Sequence, residues 1–219
     1  MLNLNFPILD ASIQLDNSTI LVLESPAVFS KIVQQIYEYK EDGELKIFDH
    51  KYFSLKESEI LVITDILGYS LNSASMLKLI YSDLESQLNE KPDIKSEIER
   101  LSIEVNKLIA TQLIEHELHL ESQEPALTSL FSSFTVKIAT HYQTVFEKSL
   151  DLLHVFKYLR KKKLLVFVNI CSYLTEEEVK VFLEEISLLN IFVLFIEPNI
   201  VYDVHQFVVD SDFCLIQPK

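Results

Sequence analysis

Short apolar segments separated by amphipathic stretches define the pattern of this chain. Four segments are nearly continuous runs of branched and aromatic residues, which is typical of strands buried in a parallel sheet. They are Ile20–Leu23, Ile60–Ile63, Leu164–Val168 and Ile191–Ile196. Two weaker runs, Leu45–Phe48 and Phe213–Ile216, predict strands nearer an edge.

Amphipathic helices are predicted between these strands. Ser25-Pro26 is a typical helix start, with Ser as N-cap and Pro at the first position, and apolar residues follow at helical spacing. Thr175 and Glu178 have the spacing of a capping box before another helix. Alternation of strand, helix and strand predicts right-handed crossovers and an α/β fold with a parallel sheet.

The middle of the chain differs, because it has no strand pattern and shows apolar residues at helical spacing in four stretches. These stretches start near Ser73, Ile94, Ala126 and His141. We therefore predict an α/β domain formed by residues 1–71 and 161–219, and a helical subdomain, residues 72–160, inserted between them. Long helices with wide apolar faces often pack against other subunits.

Glycine is scarce, with only Gly43 and Gly68 among 219 residues. A phosphate-binding loop needs several glycines, and neither nucleotide-loop motif, nor the G-x-S-x-G motif of hydrolases, can be written in this sequence. The strand LLVFVN is similar to the second strand of a P-loop ATPase, but it ends in Asn169 where an Asp would organise Mg²⁺. The pattern favours a binding scaffold over a nucleotide-driven enzyme.

The charge is strongly acidic, with a formal net charge of −14 and a pI of about 4.8. Taken alone, this argues against nucleic acid and anionic membranes and suits divalent cations or a basic partner. The stretch Asp151–Ile170 is an exception, because it contains five Lys and Arg residues and only one Asp. Either it forms a basic surface on an acidic particle, or it is a solvated helix end with cations near the negative end of the dipole.

Several features indicate a soluble, cytoplasmic protein without membrane contact. The two cysteines, Cys171 and Cys214, give no disulfide framework. The first residues lack the basic region of a signal peptide. The longest apolar runs are far shorter than the roughly 20 residues that span a bilayer.

The densest group of potential ligands lies in Glu115–Glu124. On a helix, Glu117, Glu121 and Glu124 would share one face, where like charges repel unless a hard cation such as Ca²⁺ binds them. Histidines in the segment, including His119, would permit a transition metal instead. The alternative is an acidic helix end exposed to water, and the residues leave both interpretations open.

Longer strings add a resemblance. The segment Thr64–Pro92, TDILGYSLNSASMLKLIYSDLESQLNEKP, resembles the signature block of the Csn2 family, the small adaptation proteins of type II-A CRISPR systems. Other blocks occur in the same order and are also similar to that family: NLNFPILD, ELKIFDH, TVFEKSLDLL, KKKLLVFVN and VLFIEP. The resemblance covers nearly the whole chain.

The resemblance implies a head domain with a degenerate P-loop-ATPase-like sheet and a helical leg. It implies a homotetrameric ring that encircles double-stranded DNA, prefers free ends, reads no sequence and is not an enzyme. It also implies Ca²⁺ as cofactor, and work beside the CRISPR integrase proteins and the type II effector nuclease during spacer acquisition in antiviral defence. The alternatives are a protein-binding scaffold of the adaptation complex, or a metal-dependent nuclease or degenerate ATPase.

The same resemblance suggests site residues. The family's acidic calcium segment maps onto Glu115–Glu124, so the metal candidates are Glu117, His119, Glu121 and Glu124. The family lines its central hole with Lys and Arg. The DNA-binding candidates are Lys137, in the FTVKIA segment, and Arg100, Lys107 and Lys148.

Overall fold

The computed structural model describes residues 2–114, 116–159 and 161–216, which divide into two compact units. The first unit combines the residues up to Tyr69 with those from His141 onwards, and the second is Ser70–Thr140. The strands are β1 (Leu2–Asn5), β2 (Ile13–Leu15), β3 (Ser18–Leu23), β4 (Lys46–Asp49), β5 (Ile60–Ile63), β6 (Leu164–Val168), β7 (Val193–Glu197), β8 (Phe207–Val209) and β9 (Leu215–Ile216). The helices are α1 (Pro26–Tyr37), α2 (Ala74–Asn89), α3 (Pro92–Leu113), α4 (Leu127–Ser133), α5 (Val145–Tyr158) and α6 (Glu176–Leu189). The predicted α/β fold class is confirmed.

A six-stranded sheet forms the centre of the first unit, in the order β5-β6-β7-β3-β8-β9. The strands pair in parallel except for β9, which runs antiparallel to β8. The central strands β3 and β7 are almost completely buried, as their continuous apolar runs predict.

A second sheet, in the order β2-β1-β4, is antiparallel. The run Leu45–Phe48 was predicted near the edge of the main sheet, but β4 belongs to this smaller sheet instead. Strands β1 and β2 were not predicted, because three or four residues of alternating burial give too little pattern to recognise.

Helix caps follow the sequence signals. At α6, the Glu178 amide donates to Thr175 Oγ1 (3.3 Å), and the Thr175 amide donates to Glu178 Oε2 (2.8 Å), which completes the predicted capping box. Helix α1 begins at Pro26 as predicted, although the Ser25 side chain makes no capping bond. Asn190 ends α6 in the left-handed conformation, with φ 51°.

Aromatic rings lock α6 onto the main sheet. The Phe182 ring lies 5.8 Å from that of Phe167, 5.9 Å from that of Phe195 and 6.5 Å from that of Phe146 on α5. Offset and edge-on pairs at these distances stabilise a core beyond the area they bury. Helix α5 therefore packs with α6 on the sheet.

The units end at different residues from the expected domains. The predicted leg domain extended through residue 160, whereas the second compact unit ends at Thr140 and α5 lies in the first unit. Helix α5 buries Leu152, Leu153 and Phe156, so its helical spacing reflects packing on the sheet-bearing unit.

The second unit consists of α2, α3 and α4. The Met76 amide donates to the Ser73 hydroxyl (3.3 Å), so Ser73 is the N-cap of α2. Tyr81 of α2 lies against Phe131 of α4, with ring centroids 5.8 Å apart. None of the 22 residues of α3 is fully buried.

Candidate functional site

The segment that follows α4 presents Lys137 on a fixed backbone. The Tyr81 hydroxyl donates to the Val136 carbonyl (2.8 Å), and the Ile138 amide donates to Asn72 Oδ1 (2.8 Å). In addition, Asn72 Nδ2 donates a hydrogen bond to the Ile138 carbonyl (3.0 Å). Both neighbours of Lys137 are thus tied to α2 or its start, while the Lys137 side chain is exposed.

Two further candidates lie on α3. The Arg100 guanidinium forms ion pairs with Glu97 (2.7 Å) and Glu104 (2.5 Å) on the same helix. These carboxylates already neutralise Arg100, which weakens it as a phosphate contact. Lys107 is exposed on the same helix.

Lys148 has a structural role in the first unit. Its side chain is nearly buried, with 8 % of the residue exposed, and Nζ donates to the Leu67 carbonyl (3.0 Å). Nζ also lies 5.5 Å from the centre of the Tyr142 ring. Burial lowers the pKa of the Lys148 ammonium, although the Asp65 carboxylate opposes that shift. A buried ammonium with these contacts is poorly placed for DNA phosphates.

The basic stretch before β6 is largely occupied by contacts within the fold. Lys157 Nζ donates to the Leu189 carbonyl, and Lys162 Nζ donates to the Ile60 carbonyl (2.6 Å). Lys163 pairs with Glu59 at 2.6 Å. Arg160 lies outside the described residues. The contacts favour a local structural role for these lysines over a continuous basic surface.

The acidic segment does not have the expected helical geometry. Helix α3 ends at Leu113, and residues 116–126 form no helix, so the shared helical face predicted for Glu117, Glu121 and Glu124 is absent. These carboxylates and His119 are exposed, and Glu115 lies outside the described residues. Carboxylates suit Ca²⁺, but among the described residues no three potential ligands come close enough to hold an ion. The donor chemistry fits calcium, whereas the arrangement does not.

The carboxyl edge of the main sheet is closed by internal contacts. Asn169 directly follows β6 and has φ 54°, and Ser172 Oγ donates to its Oδ1 (2.6 Å). Glu197 at the end of β7 is 2 % exposed and accepts a bond from the Cys171 amide at 3.1 Å. Burial raises the pKa of Glu197 to about 7, although the bonds from Cys171 oppose the shift. Glu197 was not among the residues predicted from the sequence, where its only signal was its position directly after a buried apolar run.

The loop between β3 and α1 corresponds to the place where nucleotide-binding sheets hold their phosphate loop. Here β3 ends at Leu23 and α1 begins at Pro26, so only Glu24 and Ser25 connect them. Pro26 has no N–H to offer an anion, and Glu24 is an exposed carboxylate. This connection is too short and has the wrong charge to surround a phosphate.

Helix α3 has an apolar face that the described residues leave open. Leu101, Val105, Leu108 and Ile109 are all exposed, with Leu108 at 74 %. A groove of about 520 Å³ runs beside this face, lined by residues of α3 and α4 and by the segment 122–125. Contiguous apolar surface of this kind is typical of an interface.

No helix of the described chain combines the length and the hydropathy that a membrane crossing requires.

Comparison with known proteins identifies a family that this chain matches. The model of the family described as CRISPR-associated protein (Cas_Csn2) matches residues 38–213.

Two relatives match over nearly their full lengths. The CRISPR-associated protein Csn2 of Streptococcus agalactiae is 48 % identical over 99 % of this chain and 98 % of its own. Its namesake from Enterococcus faecalis is 44 % identical over 100 % of both chains. Among solved structures, Stu0660 of Streptococcus thermophilus matches all of this chain and 76 % of its own, with a TM-score of 0.54 and 14 % identity. That structural likeness shows the fold.

Proposed function

The chain belongs to the Cas_Csn2 family of CRISPR-associated proteins, and from that premise we propose that it binds double-stranded DNA without reading its sequence or cutting it. In this proposal the protein acts as a homotetrameric ring that loads onto free DNA ends during spacer acquisition in antiviral defence. The ring works in the cytoplasm beside the integrase proteins and the type II effector nuclease.

The observation that best supports DNA binding is the exposed position of Lys137 on a segment held by hydrogen bonds. Its neighbours Val136 and Ile138 are held by hydrogen bonds of 2.8 Å, so its exposed ammonium projects from an ordered segment. A positioned cation binds the phosphate backbone without base information. Lys107 is the second candidate, whereas Arg100 is neutralised by its own helix and Lys148 is buried.

Assembly is supported by the apolar face of α3. A helix of 22 residues without one fully buried side chain gains little from its own unit and much from a partner helix. A second copy of the chain is the partner that a homotetramer supplies. In the proposed ring the copies of Lys137 line one shared surface and make it locally positive, although each chain carries a net charge of −14.

The enzyme alternatives receive less support. A degenerate ATPase would need phosphate contacts after β3, where the connection has only Glu24 and Ser25. At the end of the neighbouring strand β7, Glu197 is buried and accepts a hydrogen bond from the Cys171 amide (3.1 Å), so it is not free to organise a cation. A protein-binding scaffold that does not touch DNA remains the main alternative, because an exposed apolar face serves any partner.

One gel experiment separates these functions. Linear duplex and covalently closed circles of the same sequence are incubated with the protein and Ca²⁺, and complexes and products are resolved. Retention of uncut linear duplex alone supports the ring. Cleaved products would establish a nuclease, and retention of neither DNA would leave the scaffold.

A further inference from the structure

The turn after β4 exposes two aromatic side chains. Tyr52 and Phe53 are 84 % and 69 % exposed, and Tyr52 is more exposed than any other large apolar or aromatic residue that the structure describes. Burying such rings is strongly favourable, so leaving both in water needs an explanation. We call residues 50–53 the aromatic tip.

Hydrogen bonds fix the backbone of the aromatic tip. Asp49 Oδ1 accepts bonds from the Lys51 amide (2.8 Å) and the Phe53 amide (3.0 Å), and the Tyr52 amide donates to the Asp49 carbonyl (2.9 Å). The Phe53 amide is the main reason that the pKa of Asp49 is lowered. These bonds hold Tyr52 at φ 62°, a left-handed conformation that is rare for a bulky residue. A backbone that is already fixed lowers the ordering cost of binding.

The rings of Tyr52 and Phe48 form a flat platform, and basic side chains lie next to it in the sequence. Tyr52 stacks on Phe48, with centroids 5.7 Å apart and planes 17° from parallel. Because Tyr52 remains mostly exposed, its outer face is open. Lys51 and His50 are exposed next to it in a protein whose net charge is −14. Asp49 is the nearest carboxylate in sequence, and its Oδ1 is occupied by amides of the turn.

We propose that the aromatic tip stacks on an exposed nucleobase at a DNA end, a step that rests on the proposed function and adds to it. Stacked aromatic rings flanked by cations bind bases in any sequence, because every base has a π-face. The flanks of a duplex expose no such face, whereas a terminal base pair or a single-stranded overhang does. In this proposal a closed ring can load only onto a free DNA end, and the aromatic tip then holds that end by stacking on its exposed base.

A flat, stacked platform with an adjacent lysine and histidine fits a nucleobase better than a protein pocket. A side chain that anchors a protein interface fills a pocket on several sides, but Tyr52 has one face covered by Phe48 and offers the other. The phosphate that follows a stacked base would lie within reach of a Lys51 or His50 side chain.

Fluorescence tests the stacking directly, because the protein has no tryptophan. Tyr52→Trp places a single reporter on the aromatic tip, and Tyr37→Trp places the matched reporter at the exposed end of α1, where Tyr37 is 69 % exposed. The probes are a single-stranded oligothymidine, an abasic oligomer with the same number of phosphates, a blunt duplex and the same duplex with an overhang. We expect oligothymidine and at least one duplex end to quench the tip reporter, with neither the abasic oligomer nor the Tyr37 control responding. Comparison of the blunt duplex with the overhang duplex shows whether the stacked base belongs to the terminal base pair or to the single-stranded overhang.

A second variant measures the contribution to affinity. Tyr52→Asn removes the ring, while Asn tolerates the left-handed backbone, so the turn is preserved. We expect roughly a tenfold or larger loss of affinity for the oligonucleotide and for the quenching duplex end, and no loss from Tyr37→Asn.

The outcomes distinguish the inference from the function on which it rests. Retention of linear duplex with no quenching at position 52, or with unchanged affinity in Tyr52→Asn, overturns the tip and leaves the ring standing. Quenching by oligothymidine without retention of linear duplex supports the tip and contradicts the ring. Equal quenching by the abasic oligomer overturns base stacking. Unchanged DNA affinity with a lowered assembly mass in Tyr52→Asn would show that the aromatic tip contacts protein.

Discussion

The two compact units differ in how far their apolar side chains are buried. In the first unit, Phe167, Phe182 and Phe195 are enclosed between α6 and the main sheet. In the second, α3 leaves Leu101, Val105 and Leu108 exposed. Full burial of one such side chain contributes about 1.5–3 kcal/mol. The first unit therefore encloses these aromatic residues within the chain, whereas the second leaves the apolar face of α3 exposed.

The largest expected effect tests the first half of this comparison. Phe182→Ala leaves a cavity among three aromatic rings and should lower the free energy of unfolding by about 3–5 kcal/mol. Leu108→Ala, on the open face of α3, should change the stability of the unassembled chain by less than about 0.5 kcal/mol. Urea unfolding of both variants at low protein concentration gives the two values. Equal losses would show that α3 is packed within its own unit.

The buried carboxyl of Glu197 makes the first unit sensitive to pH. Its pKa is raised from 4.5 to about 7, so the folded state binds a proton more tightly than the unfolded state. The protonated carboxyl favours folding, and this contribution is lost as the pH rises from about 4.5 to about 7. The loss amounts to about 3 kcal/mol at most. Unfolding free energies measured across that range should fall with pH.

Glu197→Gln removes the titrating group and should flatten that part of the pH profile. Glu184→Gln, on the exposed face of α6, is the control and should keep the slope of the parent. A parent profile that rises with pH over this window, or a Gln variant that retains the full slope, would contradict the assignment.

Calcium tests whether the acidic segment acts in the second unit. Ca²⁺ that binds only the folded, assembled protein should raise its stability by about 2.7 kcal/mol at one hundred times the dissociation constant. Sedimentation and melting with Ca²⁺ and with a chelator measure this effect. The triple change of Glu117, Glu121 and Glu124 to Gln should abolish the response. A response that survives in the triple variant would place the ion on other residues, and no response in the parent would remove calcium from the account.

The apolar face of α3 is tested by charge. Val105→Asp with Leu108→Asp should lower the association constant of the chain at least about tenfold, about 1.4 kcal/mol, because a charge cannot enter a dry interface without a partner. Sedimentation mass against concentration measures it, and the circular dichroism spectrum should stay unchanged. Glu104→Asp with Lys107→Arg, exposed positions on the same helix, provides the control. An unchanged assembly would show that α3 does not mediate self-association.

Much of the fold was predictable because its signals are local. Continuous apolar runs identified four adjacent strands of the main sheet, β5, β6, β7 and β3, and the Thr175–Glu178 spacing identified the start of α6. Strands β1 and β2 were missed, since both are short and the pairing of β1 with β4 joins residues far apart in the sequence. The same limitation affected α5, whose amphipathic pattern cannot tell which unit it packs against.

The candidate site was less predictable, because its geometry depends on contacts between distant residues. Lys137 was named from a resemblance, but its fixed position comes from Tyr81 and Asn72, more than 50 residues earlier in the sequence. Lys148 has the same charge, yet its contact with Leu67 buries it. Helical spacing was assumed for the acidic segment, although α3 ends before it begins.

The most direct test of the central claim is the affinity for linear duplex relative to a closed circle of the same sequence, measured as salt is increased. We predict strong preference for the linear form and a steep loss with salt, each neutralised phosphate adding a slope of about −0.9 in log K against log salt. Lys137→Glu should weaken binding to all sequences equally and reduce that slope. Equal affinity for circle and linear duplex, or a slope unaffected by Lys137→Glu, would contradict a ring that encircles DNA through this residue.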